Sequence, residues 1–530
     1  MILTFTSWPT GRSFILAASL LAVFTRRAHG QELPSITAAA GACDRLKALN
    51  LPGVRWTEVA DVRDSAQRGD NVRGAHCRVS GVAGKDIAFV VMLPNEWNQR
   101  LLMGGNGGYA GTINRNILTY ASSGYLTVST NTGHEATPGG GARWALNDLE
   151  RQVDFGYAGI HRAVEVARAL GAAFYGSAPK YSYFTGCSNG GRQALMEVQR
   201  FPEDFDGVIA GAPAAQSSRI QASFLKNLKA VFPDSSWFDK PFVTQASLDY
   251  LSAGVLSACD ALDGVKDGIL DDPRDCRFQL SSLKSCVNQV AASDCLTSAQ
   301  RSAIEKIYGP TKDEQNRVVY PGQPLGGENL AGGWARAMTG RDSTSMRLLQ
   351  LPTQQSVIVV EGAKYMMFSD STWNYSRYTG SYLRDAMRVG ALMDADNTDI
   401  AHFTDRGGKL LLWHGWSDPM INPLGTIEYY EEVQKRDSRA REHVRLFLAP
   451  GVLHCGGGPG MLPGEAEFLR VMREWVEKTQ VPDHVIAARR DSAQKVVRSR
   501  PVCAYPRRAV YSGSGSTDDA ANFVCKDVPR

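Results

Sequence analysis

The sequence predicts an α/β fold in which a mainly parallel sheet is covered by helices and interrupted by one long insertion. Three observations carry that expectation. Short apolar runs closed by turn residues alternate with helically periodic segments up to Ala214. The same alternation resumes near Asp405, and the stretch between, residues 215–398, lacks it.

The elements follow in order. "DIAFVVMLP" (Asp86–Pro94), "RLLMGGNGG" (Arg100–Gly108) and "GYLTVSTNTGH" (Gly124–His134) are apolar runs stopped by Pro, Gly or Asn, the pattern of buried strands. "VDFGYAGIHRAVEVARAL" (Val153–Leu170) repeats its apolar residues at helical spacing. "YSYFTG" then leads into a serine crowded by small residues, "RQALMEVQRF" continues as a helix, and "GVIAGAPA" (Gly207–Ala214) is the next strand. In the second block "GKLLLWHG" (Gly408–Gly415) and "HVRLFLAPG" (His443–Gly451) are strands, with helical "TIEYYEEVQKR" between them. "EFLRVMREWVEK" (Glu467–Lys478) supplies a closing helix. The insertion carries four of the ten cysteines and the aromatic residues Trp237, Trp334, Tyr365, Trp373 and Tyr378. It is expected to form a lid over the C-terminal edge of the sheet, where such folds bind ligands.

The chain has 530 residues, too many for one simple core, and its 43% hydrophobic and 21% charged content is that of a folded soluble protein. Its start reads as a secretory signal. Arg12 supplies the charged region, "FILAASLLAVF" (Phe14–Phe24) is apolar but too short to span a bilayer, and Ala28-His29-Gly30 is a small-x-small cleavage site before Gln31. Cutting there removes Arg12, Arg26 and Arg27 and lowers the formal net charge from +4 to +1. A nearly neutral chain without a basic run argues against nucleic acid as a partner, and no later stretch is apolar enough to enter a membrane. All ten cysteines lie after residue 30. An even count in a secreted or periplasmic chain, with no C-x-x-C pair, favours five disulfides over zinc.

Chemistry concentrates at Gly186-Cys187-Ser188-Asn189-Gly190. This fits the G-x-S-x-G turn, in which small neighbours let a strand bend sharply into a helix and expose the serine. A serine hydroxyl needs a base within hydrogen-bond reach, and that base needs a carboxylate to orient it. Asp418 in "WHGWSDPMINP" and His454 in "LAPGVLHCGGGPG" each lie just past a later strand, in the order of an α/β-hydrolase fold. His414 and His134 are rivals for the base. Cys187 directly precedes Ser188 and Cys455 directly follows His454, so a Cys187–Cys455 disulfide would staple the nucleophile turn to the histidine loop. For an oxyanion hole, one N–H is expected from Asn189 and another from the "MGGNGG" loop, at Asn106 or Gly107.

A second site is expected in "CDALDGVKDGILDDPRDC" (Cys259–Cys276), where Asp260, Asp263, Asp267, Asp271, Asp272 and Asp275 crowd together with Gly264 and Gly268. The spacing is not that of an EF-hand. Unneutralised, these carboxylates would repel one another, and a loop offering many oxygens suits Ca²⁺ better than Mg²⁺. Its distance along the chain from Ser188 marks it as structural.

Together, "GCSNGGRQ", "FPEDFDGVIAGAPA", "CDALDGVKDGI", "FTDRGGKLLLWHGWSD", "HCGGGPG", "RPVCAYP" and "NFVC" resemble the tannase/feruloyl esterase family, which includes mono(2-hydroxyethyl) terephthalate hydrolases. The resemblance spans nearly the whole mature chain. It implies the pairs Cys187–Cys455, Cys43–Cys77, Cys259–Cys276, Cys286–Cys295 and Cys503–Cys525. It also implies calcium held by the side chains of Asp260, Asp263 and Asp267 and the carbonyls of Val265 and Ile269. Its members cleave esters of hydroxylated aromatic acids such as feruloyl or galloyl esters, and the terephthalate branch adds a lid arginine for a free carboxylate. Arg336, Arg341, Arg347, Arg377 and Arg384 are available here. The expected architecture is thus an α/β-hydrolase fold with a large inserted lid domain: residues 1–30 signal, 31–214 and 399–530 catalytic, 215–398 lid with the calcium site. The expected protein is a serine carboxylesterase acting on a small aromatic ester, free or linked to polysaccharide or polyphenol. The alternatives are a terephthalate-type hydrolase, a peptidase or acyltransferase on the same scaffold, and a calcium-dependent binding protein with an inactive triad.

Overall fold

Nine strands joined in one sheet organise the described part of the computed structural model, residues 33–63 and 71–528. The expected signal segment, residues 1–30, lies outside the described residues. In chain order the strands are β1 (Val54–Val62), β2 (His76–Ala83), β3 (Ile87–Pro94), β4 (Arg100–Gly104), β5 (Leu126–Thr130), β6 (Tyr181–Cys187), β7 (Gly207–Gly211), β8 (Lys409–Gly415) and β9 (Val444–Ala449). Across the sheet they run β9-β8-β7-β6-β4-β5-β3-β2-β1. Neighbours from β9 to β5 are parallel. From β5 through β3 and β2 to β1 they are antiparallel, so the sheet is mixed. The sequence reading missed β1 and β2 because both mix buried and half-exposed positions instead of presenting an apolar run.

Helices α1 (Gly159–Tyr175), α2 (Asn189–Arg200), α3 (Ser217–Val231), α4 (Pro423–Arg436) and α5 (Glu465–Lys478) complete the frame. Successive strand residues point to opposite faces and each face finds its own cover. Leu101, Phe184 and Leu410 pack with Val164 of α1, Leu195 of α2 and Ile427 of α4. Their neighbours Leu102, Tyr183 and Leu411 pack with Phe468, Met472 and Trp475 of α5. α3 joins Leu248, Leu251, Trp334 and Val359 in a separate apolar core built from the long insertion. Beyond α5, His484–Arg490 pairs with Val496–Cys503 and Arg508–Tyr511 with Phe523–Lys526, two hairpins that the sequence reading did not identify.

Five disulfides join Cys43–Cys77, Cys187–Cys455, Cys259–Cys276, Cys286–Cys295 and Cys503–Cys525. Among the described residues no helix is long and apolar enough to cross a membrane. β6, β7, β8 and β9 are adjacent and parallel, so the loops after β6, β8 and β9 emerge at one sheet edge. Those loops carry Ser188, Asp418 and His454.

Candidate active site

Ser188 joins β6 to α2 with φ 64° and ψ −122°, a conformation that is costly for a residue with a side chain. The surroundings impose it. The Ser188 N–H donates to Gly211 O at 2.9 Å, and Ala214 N–H donates to Ser188 O at 3.2 Å. The turn is tight enough that a Cβ on Gly186 would lie 2.6 Å from the Gly190 backbone. This is why small residues flank the serine.

His454 Nε2 lies 2.8 Å from Ser188 Oγ, and its Nδ1 lies 2.7 Å from Asp418 Oδ2. Asp418 is fully buried, and its Oδ1 accepts from the Met420 and Ile421 N–H groups at 2.7 and 2.9 Å. Burial pushes its carboxyl up, but the charge of His454 and hydrogen bonds from His414 and His454 outweigh that and hold it well below the usual range. His414, the rival base, backs the acid instead. Its Nε2 faces Asp418 Oδ2 at 3.1 Å and Ile421 O at 3.0 Å, both acceptors, so Nε2 carries the proton and donates. Its Nδ1 accepts from the Thr426 hydroxyl at 2.8 Å. The other rival, His134, stacks on Trp144 and bonds Tyr109 O at 2.7 Å; burial pulls it down to about 4, so it stays neutral. The Cys187–Cys455 bridge sits beside this relay, and Cys455 itself has φ 58°.

The expected oxyanion donors separate. Asn106 N–H is taken by Gln193 Oε1 at 2.9 Å, so it is not free for a reacting oxygen. Gly107 lines the cavity beside Ser188, and Asn189 opens α2, where helix N–H groups lack internal partners. Two residues of "GCSNGGRQ" to which the sequence reading gave no role hold these segments together. Arg192 donates to Asn189 Oδ1 at 2.7 Å and to the carbonyls of Gly156 and Phe155 at 2.7 and 3.0 Å. Asn189 Nδ2 in turn donates to Asn106 O at 3.1 Å, and Gln193 Oε1 accepts from the N–H of the same Asn106. Arg192 is fully buried, forms no ion pair among the described residues, and is pulled down to about 10 by burial. An arginine in an otherwise small and apolar first turn was the available signal.

A cavity of about 410 Å³ opens beside Ser188 and His454. Tyr109, Phe155, Ile220, Phe224 and Val357 give it apolar walls. Trp237, Trp334, Tyr365, Trp373 and Tyr378, named from the sequence, are not among its lining residues. Trp334 and Tyr365 are core, and Trp237 is 40% exposed. Of the five arginines considered, Arg336 lines the cavity, its Nε bonded to Asp342 Oδ2 at 2.8 Å. Arg341 pairs with Asp239 instead.

In the acidic loop, Asp260 Oδ1 accepts from Gly268 N–H at 2.8 Å and Asp263 Oδ1 from Val265 N–H at 2.9 Å. Asp267 Oδ2 meets Arg498 and Arg500 from the hairpin after α5, while its Oδ1 is buried without a hydrogen-bond partner. Burial, with Asp267 and Asp260 nearby, lifts Asp263 to about 6. An orphaned carboxylate oxygen among mutually repelling carboxylates is a donor set that fits a hard cation. Elsewhere, His161, Glu197 and Asp204 bring ligand-type atoms within 4.8 Å. There His161 Nδ1 lies 2.6 Å from Asp204 Oδ2, and the carboxyl of buried Glu197 is raised by burial and by Asp204.

A family model described as tannase and feruloyl esterase matches residues 71–526. An uncharacterized esterase of Xanthomonas campestris is 32% identical, with 94% of this chain and 93% of that one aligned. A mono(2-hydroxyethyl) terephthalate hydrolase of Piscinibacter sakaiensis is 31% identical over 93% of this chain and 92% of its own. The crystal structure of feruloyl esterase B from Aspergillus oryzae superimposes with a TM-score of 0.78 at 28% identity, covering 92% of this chain and 99% of that one. With a serine, a histidine and a buried aspartate in hydrogen-bond sequence at the mouth of an apolar cavity, the chain belongs to the tannase and feruloyl esterase family of carboxylic ester hydrolases.

Proposed function

We propose that this chain is an exported serine esterase that hydrolyses esters of hydroxycinnamic or related hydroxylated aromatic acids through an acyl-enzyme. The observation that carries the reading is the unbroken Ser188–His454–Asp418 relay, at 2.8 and 2.7 Å, facing a cavity walled by Tyr109, Phe155 and Phe224. Ser188 Oγ attacks the ester carbonyl as His454 Nε2 takes its proton. The Asn189 and Gly107 N–H groups receive the developing oxyanion. The imidazolium, steadied by Asp418, gives its proton to the departing alcohol, and water activated by the same imidazole releases the acid. His414 donates to Asp418 from behind, which keeps the carboxylate ionised throughout. Residues 215–398 serve as a lid, supported by the apolar core they form and by their contribution of Ile220, Phe224 and Val357 to the cavity wall. A calcium ion bound by Asp260, Asp263 and Asp267 with the Val265 and Ile269 carbonyls neutralises the acidic loop. Export is supported by five disulfides.

One observation favours a second reading. Arg336 in the cavity wall offers a guanidinium to a free carboxylate, as a terephthalate half-ester would need, but Asp342 already occupies its Nε. That engagement ranks a neutral acyl group above an anionic one. Assays with methyl ferulate, methyl gallate and mono(2-hydroxyethyl) terephthalate, with Ser188→Ala as control, test the assignment. Turnover of ferulate or gallate esters that disappears in the control is expected; exclusive turnover of the terephthalate half-ester refutes the ranking.

A further inference from the structure

The loop between β8 and α4, residues 416–422, carries Asp418, and its backbone is short of donors. The Asp418 N–H goes to Gly415 O at 3.3 Å, Pro419 has no N–H, and the Met420 and Ile421 N–H groups are both given to Asp418 Oδ1. Asp418 and Pro419 are nevertheless buried, so their carbonyls need partners from outside the loop. The long insertion supplies them. Gln323 Nε2 donates to Asp418 O at 2.6 Å, and Gln355 Nε2 donates to Pro419 O at 2.8 Å. At the far end of the loop, the Asn422 N–H donates to the Tyr320 hydroxyl at 3.2 Å and Asn422 Nδ2 to Gly322 O at 2.7 Å.

Gln355 is itself fixed. It is buried, its Oε1 accepts from Asn227 Nδ2 of α3 at 3.1 Å, and it lies in the first turn of the helix Gln354–Gly362, whose start is closed by the Thr353 and Ser356 side chains. That helix gives Val357 and Ile358 to the cavity beside Ser188, and α3 gives it Ile220 and Phe224. The helices that wall the cavity are therefore the ones that hold the backbone of the acid loop. Resting on the esterase reading above, we propose that Gln355 and Gln323 are positioning residues for ester hydrolysis, side-chain amides of the insertion that hold Asp418 in line with His454. Replacing either amide by an apolar side chain leaves a buried carbonyl unsatisfied, and the loop shifts to recover a partner. Asp418 Oδ2 then loses its 2.7 Å contact with His454 Nδ1, while the cavity wall that meets the acyl group is unchanged.

The test uses the full chain and whichever of methyl ferulate, methyl gallate and mono(2-hydroxyethyl) terephthalate the wild type turns over fastest. Gln355→Met and Gln323→Leu keep the bulk of the side chain and remove the donor. Each is expected to lower kcat about tenfold or more with KM within about twofold of wild type. Because both act through Asp418, each is expected to cost less than about twofold when added to Asp418→Asn. A purely structural role would lower kcat equally in both backgrounds. Should Gln355→Met fail to fold, Gln323→Leu, at a half-buried position, decides alone. A kcat within about twofold of wild type in every folded variant, a rise in KM at unchanged kcat, or an equal loss in the Asp418→Asn background overturns the positioning role. Absence of wild-type turnover of all three esters overturns the esterase reading itself, and the positioning role falls with it.

Discussion

Replacing both members of the central bridge, as Cys187→Ala/Cys455→Ala, separates two roles of one bond. The first is stability. The bridged residues are 268 apart, which corresponds to about 5–6 kcal/mol of unfolded-state entropy in the loop-closure account. The bridges Cys259–Cys276 and Cys286–Cys295 nest inside that span with separations of 17 and 9. Shortening the free contour by so little changes the entropy by only about 0.1 kcal/mol, because the dependence is logarithmic. Unfolding entropy of about 2 cal/mol/K per residue gives a chain of this size about 1 kcal/mol/K, so the melting temperature should fall by about 5 °C. The second role is positioning. Ser188 keeps its left-handed backbone through its bonds with Gly211 and Ala214, whereas Cys455, at φ 58°, loses its covalent anchor, so without the bridge the His454 loop can shift relative to the serine. A displacement of about 1 Å between hydroxyl and imidazole is worth about a hundredfold in rate. Ester hydrolysis at 25 °C, below both melts, paired with calorimetry reads the two roles separately. A double variant with kcat/KM within about twofold of wild type and an unmoved melt would show that the bridge does neither.

The remaining predictions concern neighbouring groups. Asp418→Asn should lower kcat by about ten-thousandfold with little change in melting temperature, because the amide no longer fixes the His454 tautomer; a loss under tenfold counts against the relay. Arg192→Lys should cost tenfold or more in kcat at nearly constant KM, since an ammonium cannot span Asn189 and the Gly156 and Phe155 carbonyls together; an equal rise in KM would mark a binding role instead. Excess EDTA should lower the melting temperature and CaCl2 restore it, whereas an unchanged melt argues against a bound cation. Glu197 is raised by burial and by Asp204, so the stability it contributes is lost as pH rises through that raised value. Glu197→Gln should therefore melt at or above the wild-type temperature at pH 8, with the gap narrowing toward pH 4; a lower melt at pH 8 contradicts a protonated carboxyl.

What was legible in the sequence was what is local. Buried parallel strands announce themselves as apolar runs, so β3 to β9 were read within a few residues, and each chemical candidate followed a strand end. β1 and β2 were missed because an antiparallel edge alternates its exposure and carries weaker runs. Arg192 and Gln193 stood in a motif noticed for its glycines, yet their bonds reach back to Gly156 and Asn106, and no local pattern encodes such reach. The cavity walls could not be named for a related reason. Trp334 and Tyr365, two of the insertion's large rings, lie in apolar cores and not on the cavity wall, as a large ring in a helical segment most often does. Asn106 was one of two neighbouring donors, and only the side chain of Gln193 decides between them.

Sulfur linkage between the nucleophile turn and the histidine loop makes competence a matter of address. Thiols kept reduced by glutathione leave the two loops unjoined, so newly made chain still inside such a compartment is an unfinished catalyst. Completion then comes with oxidation, so one covalent bond couples the assembly of the catalytic relay to the redox state of the surroundings.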